Sequence, residues 1–142
     1  MLDRLLNMPL DERLVRFRSA NELETYLQDI GGIAVDHIGT SREGQSILGY
    51  TLGSGIRHVS VVAGAHADEP VGPMTTQMLP ALLQGHFPEF LDRFTFRVIS
   101  NINPDGADRN RPWFSNPLDF RTYVANTVRE LPGDDIEFGY MT

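Results

Sequence analysis

The sequence predicts an α/β fold, a layered α/β/α arrangement around a mixed, mostly parallel sheet. Three observations lead there. Apolar, β-branched runs alternate along the chain with stretches of helical periodicity, which is the order of layered α/β folds. One of those runs, His58 to Ala63 (HVSVVA), is continuous enough for a central strand buried on both faces. An early pair of strands around polar turns makes the sheet mixed rather than purely parallel. At 142 residues and 41% hydrophobic content, the chain suits a single domain, residues 1–142, with one core.

The elements follow in order. A first helix is predicted over Ser19 to Asp29. Ser19 caps it, Glu22 completes a capping box, and Gly31-Gly32 stops it. Leu23, Tyr26, Leu27 and Ile30 form its apolar face. Ile33 to Ile38 reads as a strand, Gly39 to Gly44 as a polar turn, and Ile47 to Leu52 as a second strand. Gly53-Ser54-Gly55 then suits a hairpin-like return into His58 to Ala63. The next helix starts near Pro70 to Pro73, where missing N–H groups cost nothing. Val71, Met74, Met78 and Leu82 share one of its faces, and Pro80 predicts a kink or an early stop. Phe94 to Ile99 is another strand. Asn101 to Trp113, rich in Asn, Asp, Pro and Arg, reads as a loop. Leu118 to Glu130 is a last helix, ended by Pro132-Gly133-Asp134-Asp135.

Composition narrows the function. A net charge of −7 argues against a nucleic-acid partner and against adhesion to anionic membrane. With no cysteine, disulfides, thiolate metal sites and cysteine nucleophiles are all excluded. Met1 to Arg18 lacks the apolar core of a secretory signal, and no run approaches the roughly 20 apolar residues that span a bilayer. The expectation is a soluble, cytoplasmic protein.

The chemistry concentrates in Val61-Val62-Ala63-Gly64-Ala65-His66-Ala67-Asp68-Glu69-Pro70. His66 and Glu69 lie just past a strand's carboxyl end, where open α/β sheets bind ligands. Their i, i+3 spacing in a tight turn can aim an imidazole nitrogen and a carboxylate oxygen at one point, and both atoms bind zinc. A catalytic zinc site adds a third protein ligand and an open position for water. Spacing alone leaves a second reading open, in which His66 caps the strand end and Glu69 favours the positive end of the following helix.

Two further blocks bear on that choice. Ile38-Gly39-Thr40-Ser41-Arg42-Glu43-Gly44-Gln45-Ser46-Ile47 precedes the pair, and Ile102-Asn103-Pro104-Asp105-Gly106 follows it, with Arg109 and Arg111 soon after. With Gly64 to Pro70 between them, the three blocks span about residues 38–113 and resemble, in order, the motifs of the zinc metallocarboxypeptidase family of the carboxypeptidase A type. The resemblance implies Zn2+ held by His66 and Glu69, and Arg111 (or, second, Arg109) stabilising the oxyanion of the scissile carbonyl. The spacing leaves those arginines equally open to loop salt bridges with Asp105 or Asp108. Asn103 to Gly106 is turn chemistry, and Asp105 is expected to orient His66 by accepting its other N–H. His37, His58 and His86 read as structural or surface residues, and Asp68 as exposed. Trp113 and Phe114 suit either a cleft wall or packing beneath the loop.

The sequence also departs from the family. Gln45 stands where arginine is usual, and no histidine follows His86 to act as third ligand. The family's late general-base glutamate has no clear counterpart; Glu137 is a carboxylate near the chain end without a marked setting. Its carboxylate-gripping Asn-Arg pair is not clear either, since Asn110-Arg111 sits very close to Asn-Pro-Asp-Gly. The expectation is therefore the N-terminal portion of a longer catalytic domain, inactive alone, with peptide as substrate. Related N-acyl amino acid deacylases of the aspartoacylase type use a similar His-x-x-Glu pair, and a non-catalytic module that keeps the fold is the other alternative. An uncovered sheet edge would favour a homo-oligomer.

Overall fold

A computed structural model describes residue 3 and residues 16–114 and 119–131. Its elements are helix α1 (Ala20–Ile30), strands β1 (Ala34–Thr40), β2 (Ser46–Leu52) and β3 (Arg57–Val62), helix α2 (Val71–His86), a 3-10 turn (Pro88–Phe90), strand β4 (Phe94–Ile99), and helices α3 (Pro104–Phe114) and α4 (Phe120–Asn126). The predicted Pro132–Asp135 terminator, Leu118 and Glu137 lie outside the described residues.

The capping box forms as predicted: the Glu22 N–H donates to Ser19 Oγ at 3.4 Å, and the Ser19 N–H donates to Glu22 Oε2 at 2.9 Å. Leu23 and Leu27 turn inward from α1. They meet Tyr50, Leu52 and Val98 of the sheet and Leu83 and Phe87 from α2 and its end, forming one core on one face of the sheet.

The sheet is mixed, in the order β1-β2-β4-β3. Antiparallel pairing joins β1 to β2 and β2 to β4, and parallel pairing joins β3 to β4. Thus the mixed character holds, while only one of the three pairings among the described residues is parallel. The hairpin is β1–β2, and Gly53-Ser54-Gly55 does not close a second one. That turn instead carries the chain past the start of β4: Ser54 N–H donates to Leu91 O at 2.9 Å, and Thr95 Oγ1 donates to Gly55 O at 2.7 Å. A Cβ on Gly55 would fall 1.9 Å from the Arg93 carbonyl carbon, so its glycine permits a close backbone approach rather than a hairpin.

Strand β3 is not the central, doubly buried strand its composition predicts. Among the described residues it pairs only with β4; Val59 and Val61 are half-buried, while His58, Ser60 and Val62 are exposed. An apolar run reports the capacity to be buried on both faces, whereas among the described residues only the Val59 and Val61 side is partly covered. Beside this edge lies an apolar groove of about 330 Å³ lined by Val59, Leu82, Leu83, Phe90 and Phe94 among others.

Three helix expectations are adjusted. Of the kink or early stop expected at Pro80, the early stop does not occur, since α2 runs on to His86. The carbonyl that Pro80 leaves free, four residues back at Thr76, accepts the Tyr50 hydroxyl at 2.6 Å. Residues 101–113 are not all loop, because α3 begins at Pro104. The Asn103 side chain accepts the Gly106 N–H at 3.1 Å, and proline is at ease in a first turn. Finally, α4 is shorter than the predicted Leu118 to Glu130 helix. Asp119 caps it, it ends at Asn126, and residues 127–131 belong to no helix or strand. No helix among the described residues is long and apolar enough to cross a membrane.

Candidate metal centre

Strands β3 and β4 run parallel and end side by side, and the backbone ties continue just past them. Ala63 N–H donates to Ile99 O at 3.0 Å, and Ile102 N–H donates to Ala63 O at 2.9 Å. Residues 64–69 and 101–106 therefore leave the sheet together at its carboxyl ends, the place where such sheets form a crevice.

The first segment makes a single tight turn, with the Glu69 N–H donating to His66 O at 3.3 Å. The turn brings His66 Nδ1 to 3.3 Å from Glu69 Oε1; the imidazole is largely enclosed and the carboxylate open to solvent. Two donors of a tetrahedral zinc with bonds of about 2.0–2.1 Å lie about 3.3–3.4 Å apart. The pair therefore fits one edge of such a coordination shell. Among the described residues no three His, Asp or Glu side chains gather to hold a metal ion, and the pair supplies two donors at this point.

Around the pair the structure adds residues that sequence reasoning missed. Arg129 Nη1 lies 3.4 Å from Glu69 Oε1 and 3.3 Å from Asp68 Oδ1. The Asp68 charge, helped by Glu69, holds the Arg129 guanidinium above its ordinary pKa, so it stays cationic. Asp68 is not the exposed residue expected, since only 13% of its side chain is accessible beside Arg129. Next along the chain, Glu130 Oε2 accepts the Ala67 N–H at 3.3 Å and Glu130 Oε1 accepts Asn103 Nδ2 at 2.5 Å. Arg129 and Glu130 read in sequence as the end of a helix, and no local signal marks them. They arrive here because Asn110, fully buried, holds Val128 in both directions: its Nδ2 donates to Val128 O at 2.7 Å and its Oδ1 accepts Val128 N–H at 2.9 Å.

The residues expected to serve the site from α3 have other partners. Arg109 pairs with Glu43. Arg111 lies 3.3 Å from Glu22 Oε2 and 3.4 Å from Asp108 Oδ1, linking α3 to α1. Asp105, expected to orient His66, instead turns both oxygens to the β1–β2 hairpin: Ser41 Oγ donates to it at 2.6 Å and the Glu43 N–H at 3.1 Å. Trp113 is packed rather than lining a cleft, its Nε1 donating to Asn110 Oδ1 at 2.7 Å, and Phe114 packs against Phe17. His37, His58 and His86 are exposed. The three sequence blocks thus meet in space. Asp105 joins the third to the first, and Asn103, donating to Ala65 O at 3.2 Å, joins the third to the second.

Comparison with known proteins agrees with this arrangement. The sequence profile of the zinc carboxypeptidase family matches residues 23–130. No curated protein matches the chain. Among solved structures, similar ones include bovine thrombin-activatable fibrinolysis inhibitor in complex with tick carboxypeptidase inhibitor, with TM-score 0.61 and 19% identity over 70% of this chain and 35% of that one. A metallo-carboxypeptidase from Burkholderia cenocepacia has TM-score 0.55 and 23% identity over 70% of this chain and 34% of that one. Carboxypeptidase A from Helicoverpa armigera has TM-score 0.56 and 19% identity over 78% of this chain and 31% of that one. At these identities the likeness is one of fold, and the chain spans about a third of the length of each.

Proposed function

The chain belongs to the zinc carboxypeptidase family, and on that premise we propose that it carries part of a catalytic zinc site, with His66 and Glu69 as two of the three protein ligands of a hydrolase acting on peptides. One observation supports this above the rest: Nδ1 and Oε1 of the pair stand 3.3 Å apart beyond the ends of two parallel strands. When bound, zinc would activate a water and polarise the scissile carbonyl. His66 and Glu69 hold that ion, and Arg129 beside Glu69 keeps a positive charge at the rim. By the family resemblance Arg111, or second Arg109, is the candidate to stabilise the developing oxyanion. A third donor and a carboxylate base complete the reaction from outside the pair. N-acyl amino acids are the second substrate class open to the same chemistry.

Zinc titration by calorimetry of the chain and of its His66→Ala variant tests this reading. Weak binding that disappears in the variant is the expected result. Identical traces for the two proteins would remove the zinc reading and leave a module that keeps the fold without the metal. Self-association belongs to the same proposal. The outer side of β3 has no strand partner among the described residues and Val62 is 58% exposed, so sedimentation should reveal concentration-dependent dimers.

A further inference from the structure

Glu130 makes contacts that the function so far leaves unused. Its two carboxylate oxygens meet two donors, the Ala67 N–H and the Asn103 amide nitrogen. The same Asn103 nitrogen donates to the carbonyl of Ala65. Residues 65 and 67 flank His66, so one Asn–Glu pair grips the backbone on both sides of the imidazole-bearing residue. Asn103 has no freedom to reverse, because its Oδ1 is committed to the Gly106 N–H at the start of α3. Its NH2 group must therefore face Ala65 and residue 130, and residue 130 must offer acceptors only. A carboxylate meets that demand with two oxygens, whereas a glutamine would turn its own NH2 toward one of two donors.

Packing enforces the same arrangement. A Cβ on Gly106 would lie 2.4 Å from Glu130 Oε1 and 2.5 Å from the Ala67 Cβ, so only glycine lets the carboxylate reach this point. The strap that delivers it is fixed by Asn110 on Val128 and by Arg129 on Asp68 and Glu69. Two adjacent residues thus reach both halves of the donor pair, Glu130 through the backbone around His66 and Arg129 through the Glu69 carboxylate.

We propose that Glu130 is a positioning residue for the metal pair, holding the 65–67 backbone so that His66 Nδ1 and Glu69 Oε1 keep the separation a shared ion needs. The inference rests on reading that pair as zinc donors. Groups that orient metal ligands without touching the metal change affinity by about 10- to 100-fold when altered. The test titrates zinc into the 15N-labelled chain and its Glu130→Gln and Glu130→Asp variants, following the His66 imidazole nitrogens by NMR, with His66→Ala as control. Wild type should show a zinc-dependent shift of the His66 nitrogens. Both Glu130 variants should need about tenfold more zinc or greater to reach the same shift, a change that loss of global stability does not produce well below the melting temperature. If Glu130→Gln does not fold, Glu130→Asp is read in the same way. Wild-type zinc affinity in a folded Glu130 variant overturns the positioning role while the zinc reading stands. An unresponsive wild-type His66 overturns both, and the two failures are therefore distinguishable.

Discussion

Tyr50 and Thr76 are joined by a hydrogen bond from the Tyr50 hydroxyl to the Thr76 carbonyl at 2.6 Å. That carbonyl is the one Pro80 leaves without an intrahelical donor. A buried tyrosine on β2 therefore compensates for a proline inside α2 and locks the helix to the sheet.

Removing the hydroxyl should be costly in this setting. Tyr50→Phe leaves a buried carbonyl unsatisfied and is expected to lose about 1–3 kcal/mol in urea unfolding. A Pro80→Ala background restores a backbone N–H at position 80 that can reach Thr76 O, so the penalty of Tyr50→Phe should shrink. Equal penalties in the two backgrounds would dissociate Tyr50 from Pro80.

Burial also pushes the Tyr50 phenol above its ordinary pKa of 10.0. The folded state holds this proton more tightly than the unfolded chain does. Its contribution to stability is therefore complete below about pH 10 and is lost as pH rises further. Alkaline unfolding of wild type should steepen there relative to Tyr50→Phe.

Glu22 has the opposite sign. The Ser19 backbone N–H, then the Ser19 hydroxyl and the Arg111 and Arg16 charges, hold its carboxyl below the usual range against partial burial. The stability it contributes is present above about pH 4.3, the unfolded value, and is lost as pH falls through the depressed folded value. Its side chain is 44% exposed, so screening keeps the effect small, and Glu22→Gln should cost about 1 kcal/mol or less at neutral pH. Melting temperatures measured from pH 7 to pH 3 should converge for the two proteins at the acid end.

Asp105 receives hydrogen bonds from Ser41 and Glu43, so its main task is to fasten the β1–β2 hairpin to the start of α3. Asp105→Ala should destabilise the fold by about 1.5–3 kcal/mol, as expected for hydrogen bonds to a charged group. Its effect on zinc affinity should be smaller than that of Glu130→Gln. A large zinc effect with unchanged stability would restore Asp105 to the role of orienting His66.

What could be read in the sequence depends on how far each signal reaches along the chain. Ser19 and Glu22 are three residues apart and specify their own geometry, as are His66 and Glu69. Strand β3 was recognisable from its β-branched run, but its place at the edge depends on which strands pair beside it. Helix α3 was hidden because Pro104, Gly106 and Pro112 each count against a helix. Their positions in its first and last turns, with Asn103 capping, remove the objection. Arg129 and Glu130 were illegible for a different reason. They reach the His66 turn only because Asn110, eighteen residues before Val128, takes both of that residue's backbone groups.

Gly106 gives the strap a test independent of metal. Gly106→Ala would drive its Cβ to 2.4 Å from Glu130 Oε1 and 2.5 Å from the Ala67 Cβ. The Glu130 tip can swing away, but the Ala67 methyl sits on backbone that Asn103 and Glu130 hold. Overpacking of this kind costs about 1–3 kcal/mol, offset slightly by the better helix propensity of alanine. In the double variant Gly106→Ala, Glu130→Ala the carboxylate clash is gone while the methyl clash persists. The double variant should therefore lose less than the sum of the two single changes, by about 0.5 kcal/mol or more for groups in direct contact. Urea unfolding of the four proteins measures that difference, and strictly additive losses would show that Gly106 and Glu130 do not share the space assigned to them.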